Sequence, residues 1–157
     1  SYMRTTRNKV PRMYEDGAKL RIGEGSVLRD GDDLAIFSCG VMVGEAMAAS
    51  DILSAEGIEC TVVDMHTIKP LDEKLISKLA ARCGCFVSAE DHSVVGGLGG
   101  AISEWIAANS LVPLEMVGVK DKFGQSGEPA ELMEMMGLTG SDICKAARRS
   151  LERKNRP

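Results

Sequence analysis

Short apolar runs and helically spaced apolar residues alternate along the chain from Lys19 onward. Runs of mostly apolar residues between glycine or polar residues are typical of buried strands. They predict strands at 19–22, 34–38, 60–64, 85–89 and 114–119, the first of them at an edge. Apolar positions three or four residues apart predict helices within 43–57, 72–84, 98–106, 129–136 and 139–151. The stretch 24–32 is polar and is predicted to be a turn region.

This order of elements predicts one α/β domain. Strands that alternate with helices through short loops form a parallel sheet with helices on both faces. Residues 1–17 are polar and mixed, so we interpret them as an arm or linker and 18–157 as the domain. Ligands of such sheets bind beyond the carboxyl ends of the strands. Those ends are predicted at 38–40, 65–67, 90–92 and 120–122.

Composition and charge exclude several classes of protein. Of the 157 residues, 44% are hydrophobic and only 4% aromatic, which suits a globular domain with an aliphatic core. The net charge of −4 argues against a nucleic-acid-binding protein. No apolar run approaches the roughly 20 residues that span a membrane, and no signal peptide is recognisable. The five cysteines form no disulfide pattern, so reduced thiols and a cytoplasmic location are expected.

A run of glycines at 96–100 leads directly into the third predicted helix. Two interpretations fit this run. The backbone N–H groups of Gly97, Leu98 and Gly99, at the positive end of a helix, could bind phosphate or another anion, which would make the domain a regulatory anion-binding module. Alternatively, the glycines permit a tight turn and a close approach of helix and strand. The pattern is G-G-x-G-G rather than the dinucleotide-binding G-x-G-x-x-G.

Glu90, Asp91 and His92 place two carboxyl groups and an imidazole at one predicted strand end. They suit either acid–base chemistry or helix capping with a hydrogen bond at an interface. Cys39 is the best-placed single thiol, but no partner for it is identifiable. With two histidines and no ligand spacing of the metal type, we predict no metal site. We therefore assign no catalytic residue within this chain.

Three motifs, in order and in register, resemble the C-terminal domain of transketolases. The first resembles that domain's strand–turn–helix signature, the second its next strand and glycine turn, and the third its closing segment. The motifs are 62–72 (VVDMHTIKPLD), 88–92 with 96–99 (SAEDH, GGLG), and 123–127 with 131–132 and 137–139 (FGQSG, EL, GLT). The resemblance extends from about Leu34 to Leu151.

The resemblance implies a three-layer α/β/α domain with a mixed, mostly parallel five-stranded sheet. One edge strand is antiparallel, and 19–22 is its candidate. The family's enzymes use thiamine diphosphate and Mg²⁺ to transfer a two-carbon ketol unit between sugar phosphates in the pentose phosphate pathway. Their cofactor lies between two other domains, so no cofactor is expected on this chain, which is expected to be inactive alone. Its implied role is to support a homodimer and to pack against the remaining transketolase domains or an N-terminal subunit.

Residues 1–14 resemble the last strand and exit loop of the pyrimidine-binding domain that precedes the C-terminal domain in transketolases. An arginine at the position of Arg7 contacts the substrate phosphate in that family, so the resemblance implies this role for Arg7. The same fold occurs in the β subunit of 2-oxo-acid dehydrogenases, where it docks the acyltransferase core, and in deoxyxylulose-phosphate synthase. Both stay as alternatives, although 67–72 (TIKPLD) looks closer to transketolase.

Overall fold

The computed structural model describes residues 2–6 and 10–156, and within them it contains a single five-stranded sheet. The strands are β1 (Ser26–Arg29), β2 (Leu34–Ser38), β3 (Cys60–Asp64), β4 (Phe86–Ser93) and β5 (Leu114–Val119). Every residue of β2 and β3 is buried, as expected of central strands that are covered on both faces. The apolar runs therefore predicted four strands correctly, while β4 continues beyond its predicted end at Ala89 to Ser93.

The strand order in the sheet is β1-β3-β2-β4-β5. Strand β2 pairs in parallel with both β3 and β4, and β4 pairs in parallel with β5. Strand β1 pairs with β3 in the antiparallel direction. The predicted mixed sheet with one antiparallel edge strand is confirmed. Because Ser38 lies opposite both Asp64 and Ala89, the carboxyl ends of β2 and β3 lie level with Ala89 of β4, and β4 extends four residues beyond them.

The predicted position of the antiparallel edge strand is wrong. Residues 19–22 are exposed and run into a turn, whereas the strand is Ser26–Arg29, within the stretch predicted to be a turn. An edge strand is covered on fewer sides, so 26–29 is only partly buried and lacks the apolar run that marks the central strands. The chain reaches β1 through Gly25, whose N–H donates to Asp72 Oδ2 at 2.9 Å.

Five helices connect and cover the strands within the described residues. They are α1 (Met42–Ala55), α2 (Glu73–Cys83), α3 (Leu98–Asn109), α4 (Pro129–Met136) and α5 (Gly140–Lys154). Side chains cap two of these helices: Asp72 accepts from the Leu75 N–H at 3.0 Å at the start of α2, and Thr139 with Asp142 forms a capping box at the start of α5. Gly84 ends α2 in the left-handed conformation, with a φ of 67°.

Two apolar cores separate three layers. Leu34 and Ile36 of β2 face the core beneath α1 and α5, while Ala35 and Phe37 face the core beneath α2 and α3. The alternation along one strand follows from the period of two in strand side-chain directions. Phe37 packs edge to face on Phe86 with ring centroids 5.0 Å apart. None of the helices in residues 2–6 and 10–156 is long and apolar enough to cross a membrane.

Candidate functional site

The carboxyl ends of β2, β3 and β4 bring thiol and carboxyl groups together. Cys39 follows β2, Asp64 ends β3, and Glu90 and Asp91 lie in the last part of β4. Helix α1 leaves β2 toward one face of the sheet and α3 leaves β4 toward the other. In open α/β sheets, a crevice opens between two neighbouring strands whose helices leave toward opposite faces, and ligands bind there. We call Cys39, Asp64, Glu90 and Asp91 the switch-point crevice.

Glu90 is a buried carboxylate that caps α3. Its side chain is 1% exposed. Its Oε2 accepts from the Leu98 N–H and its Oε1 accepts from the Gly99 N–H, each at 2.8 Å. Both donors belong to the first turn of α3, where N–H groups lack helical partners and the helix dipole favours a negative charge. The capping interpretation of Glu90 is therefore the one that the geometry supports.

Two glycines allow this approach of strand and helix. A Cβ atom on Gly97 would lie 2.0 Å from Glu90 Oε2, and one on Gly99 would lie 2.7 Å from Ser88 Oγ. No Cβ atom fits at either distance, so both positions need glycine because space is missing rather than because of their backbone angles. The tight-turn interpretation of the glycine run thus accounts for Gly97 and Gly99.

The anion held at Gly97, Leu98 and Gly99 is the chain's own Glu90. An external phosphate would have to displace that carboxylate and approach beside Asp91. Binding of an external anion at this turn stays a prediction, and the geometry weighs against it. The start of α5 also receives a carboxylate of the chain, since Glu45 Oε2 accepts from the Gly140 N–H at 2.6 Å.

The contacts of Asp91 and His92 do not form an arrangement for acid–base catalysis. Asp91 Oδ2 accepts from Arg4 Nη2 at 3.1 Å, and both side chains are about half exposed. His92 Nδ1 lies 2.8 Å from the Ser93 carbonyl oxygen and 3.7 Å from Glu90 Oε2. The carboxylates are thus engaged by donors of the chain itself, and the imidazole lies at the surface.

Asp64 has a partner that sequence reasoning missed. Its side chain is 7% exposed, and its Oδ2 accepts from the Tyr14 hydroxyl at 2.6 Å. Burial and this hydrogen bond raise the pKa of Tyr14 to about 12. Fifty residues separate the two in sequence, and no local pattern predicts such a contact. The other oxygen, Oδ1, is buried without a hydrogen-bond partner among the described residues.

Cys39 is not an activated nucleophile. Burial raises the pKa of its thiol to about 12, and the negative charges of Glu90 and Asp64 act in the same direction. A thiol of that pKa is protonated near neutral pH and reacts slowly. All five cysteines are free, and Cys83 and Cys85 are fully buried.

The structure describes the side chains that could hold a metal ion, but it does not describe Arg7, the implied phosphate ligand. Within residues 2–6 and 10–156, no three His, Cys, Asp or Glu side chains are grouped so as to hold a metal ion. His66, at the end of β3, lies with Nδ1 3.0 Å from Thr67 Oγ1. Arg7, which the resemblance implies as a phosphate ligand, lies outside the described residues.

Comparison with known proteins gives the chain a family context. A family model described as "Transketolase, C-terminal domain" matches residues 23–143. The chain is 41% identical to the 6-deoxy-6-sulfo-D-fructose transketolase subunit of Clostridium sp. (strain MSTE9), over 98% of this chain and 48% of that protein. It is 42% identical to the 1-deoxy-D-xylulose-5-phosphate synthase of Microcystis aeruginosa, over 87% of this chain and 22% of that protein.

A solved structure shares the fold closely. A chain described as "Split gene transketolase, inactive beta4 tetramer" superposes with a TM-score of 0.92 and 40% sequence identity. The match covers 95% of this chain and 49% of the other. The chain thus spans about half the length of its transketolase-subunit relatives.

Proposed function

Because the chain belongs to the transketolase C-terminal domain family, we propose that it forms the C-terminal part of a transketolase that transfers a two-carbon ketol unit between sugar phosphates. The observation that carries this proposal is the 41% identity to a transketolase subunit over 98% of the chain. Thiamine diphosphate with Mg²⁺ in the whole enzyme, a place in the pentose phosphate pathway and a cytoplasmic location belong to the same proposal.

The described residues of this chain do not fit thiamine diphosphate and its metal ion. The glycine turn at 97–99 holds Glu90, with Asp91 beside it, and both negative charges would repel a diphosphate. The described residues also offer no cluster of three metal-ligating side chains. We therefore infer that the cofactor is bound by the other domains of the enzyme.

The role proposed for the chain is assembly. It would pack against the remaining transketolase domains or an N-terminal subunit, and it would support a homodimer of the enzyme. The structural neighbour described as an inactive β4 tetramer is matched over 49% of its length, and it supports self-association and the inactivity of a chain that lacks other transketolase parts.

The isolated chain should show no transketolase turnover. The assay contains thiamine diphosphate, Mg²⁺, a ketose phosphate donor and an aldose phosphate acceptor, and a second series uses 6-deoxy-6-sulfo-D-fructose as donor. We expect turnover only after addition of the polypeptide that carries the remaining domains, with that polypeptide alone as the control. Turnover by the 157-residue chain without it would contradict the assembly role.

A second function is favoured by a specific observation. The 42% identity to a 1-deoxy-D-xylulose-5-phosphate synthase over 87% of the chain is close to the identity with the transketolase subunit. Formation of 1-deoxy-D-xylulose 5-phosphate by the reconstituted enzyme, without ketol transfer between sugar phosphates, would decide for this alternative.

A further inference from the structure

The switch-point crevice is acidic at the place where open α/β sheets take ligands. Asp64, Glu90 and Asp91 surround it, and their charges all act on Cys39. The Glu90 carboxylate has hydrogen-bond donors from the first turn of α3. Asp64 is different, because its buried carboxylate receives no helix N–H donor in the described residues and depends on Tyr14. The Asp64 carboxylate in the crevice therefore needs a hydrogen-bond donor from outside the sheet.

Those donors come from the segment that precedes the domain. We call residues 2–6 and 10–16 the N-terminal strap. Tyr14 donates to Asp64 of β3 at 2.6 Å, and Arg4 donates to Asp91 of β4 at 3.1 Å. Pro11 lies over the first turn of α1, where a Cβ atom on Gly44 would be 3.7 Å from Pro11 Cγ. The strap thus touches β3, β4 and α1, three of the elements that border the crevice.

Opposite charges meet at one of these contacts. Arg4 Nη2 lies 3.1 Å from Asp91 Oδ2, and this ion pair adds a modest Coulomb attraction because both side chains are about half exposed. Within the strap, Arg4 and Arg12 are balanced by Glu15 and Asp16, and Arg12 pairs with Asp16. The strap is therefore held by these individual contacts rather than by its net charge.

We propose that the switch-point crevice is a receptor for the chain's own N-terminal strap, with Asp64 as the residue that anchors it. The strap occupies the position at which a small-molecule ligand would bind in another open α/β sheet. The crevice then fixes the path by which the chain enters the domain, so that the orientation of any preceding part is set here. This inference goes beyond the proposed function and does not depend on it.

Limited trypsin digestion of the 157-residue chain tests the anchor at Tyr14. The informative bond is Arg12–Met13, because it lies between the two anchors of the strap. In Tyr14→Phe the ring stays and the hydroxyl is lost, so Asp64 loses its donor. We expect the Arg12–Met13 bond to be cut about tenfold faster than in the wild type, since cleavage follows the population of the released strap. Tyr2→Phe is the matched control, because Tyr2 is 90% exposed, and its cleavage rate should equal that of the wild type.

A second pair of variants tests the other anchor. Asp91→Asn weakens the ion pair with Arg4 and should raise the cleavage rate after Arg12 by a smaller factor, because that pair is half exposed. Asp121→Asn, at an exposed carboxyl elsewhere at the same edge, should leave the rate unchanged. Urea unfolding of each variant separates release of the strap from loss of the fold. If Tyr14→Phe and Tyr2→Phe are cut at the same rate while both stay folded, the crevice is not the receptor for the strap.

Discussion

Glu90→Ala is expected to lower the free energy of unfolding by about 2–4 kcal/mol, because it leaves two helix N–H donors without an acceptor in a buried site. The carboxylate is 1% exposed and receives the N–H groups of Leu98 and Gly99 at 2.8 Å each. Its negative charge also offsets the positive end of α3. Urea unfolding followed by circular dichroism measures the loss as a shift of the midpoint at unchanged slope.

Glu104→Ala is the matched control, because Glu104 lies exposed on the same helix and should change stability by less than about 0.5 kcal/mol. Acetate should restore part of the lost stability to Glu90→Ala, since it can replace the missing carboxylate, and it should not stabilise the wild type to the same extent. A stability loss no larger than that of the control would show that Glu90 does not hold the start of α3.

Gly97→Ala is expected to cost about 2 kcal/mol or more, because the added Cβ would lie 2.0 Å from Glu90 Oε2 and must displace the carboxylate. The backbone itself gives no reason for a cost, since the φ of −102° at Gly97 is accessible to any residue. The same urea titration gives the loss of stability. Gly100→Ala is the control, because a Cβ atom there would make an ordinary contact of 3.7 Å and would improve helix propensity.

The double variant Glu90→Ala/Gly97→Ala separates the two causes. Once the carboxylate is gone, the added methyl group has no clash partner there, so Gly97→Ala should cost less than about 1 kcal/mol in that background. The two single losses should therefore not add. Fully additive losses would mean that Gly97 is required for a reason unrelated to Glu90.

Local signals predicted local structure. The apolar runs at 34–38 and 60–64 are the two fully buried strands, and two of the predicted helical segments begin at Asp72 and Thr139, which cap α2 and α5. Each of these features depends on residues only a few positions apart. The edge strand 26–29 escaped prediction because partial burial leaves no clear alternation.

The candidate site depends on contacts that sequence spacing cannot decide. For Glu90, the sequence left capping and acid–base chemistry open, and only the 2.8 Å distances to the start of α3 favour capping. The contact between Tyr14 and Asp64 spans 50 residues. The sequence of 1–17 therefore indicates an arm or linker but no contact between this segment and the domain. Long-range hydrogen bonds of single polar side chains leave no periodic signal.

Calorimetric titration of the isolated chain with thiamine diphosphate and Mg²⁺ tests the central claim, that this domain supports an enzyme whose cofactor is bound by other domains. Inorganic phosphate serves as a second titrant, because it probes the turn at 97–99 without the thiamine part of the cofactor. The account predicts no saturable heat with either titrant, since Glu90 already occupies that turn. A saturable isotherm with one thiamine diphosphate per chain would contradict it.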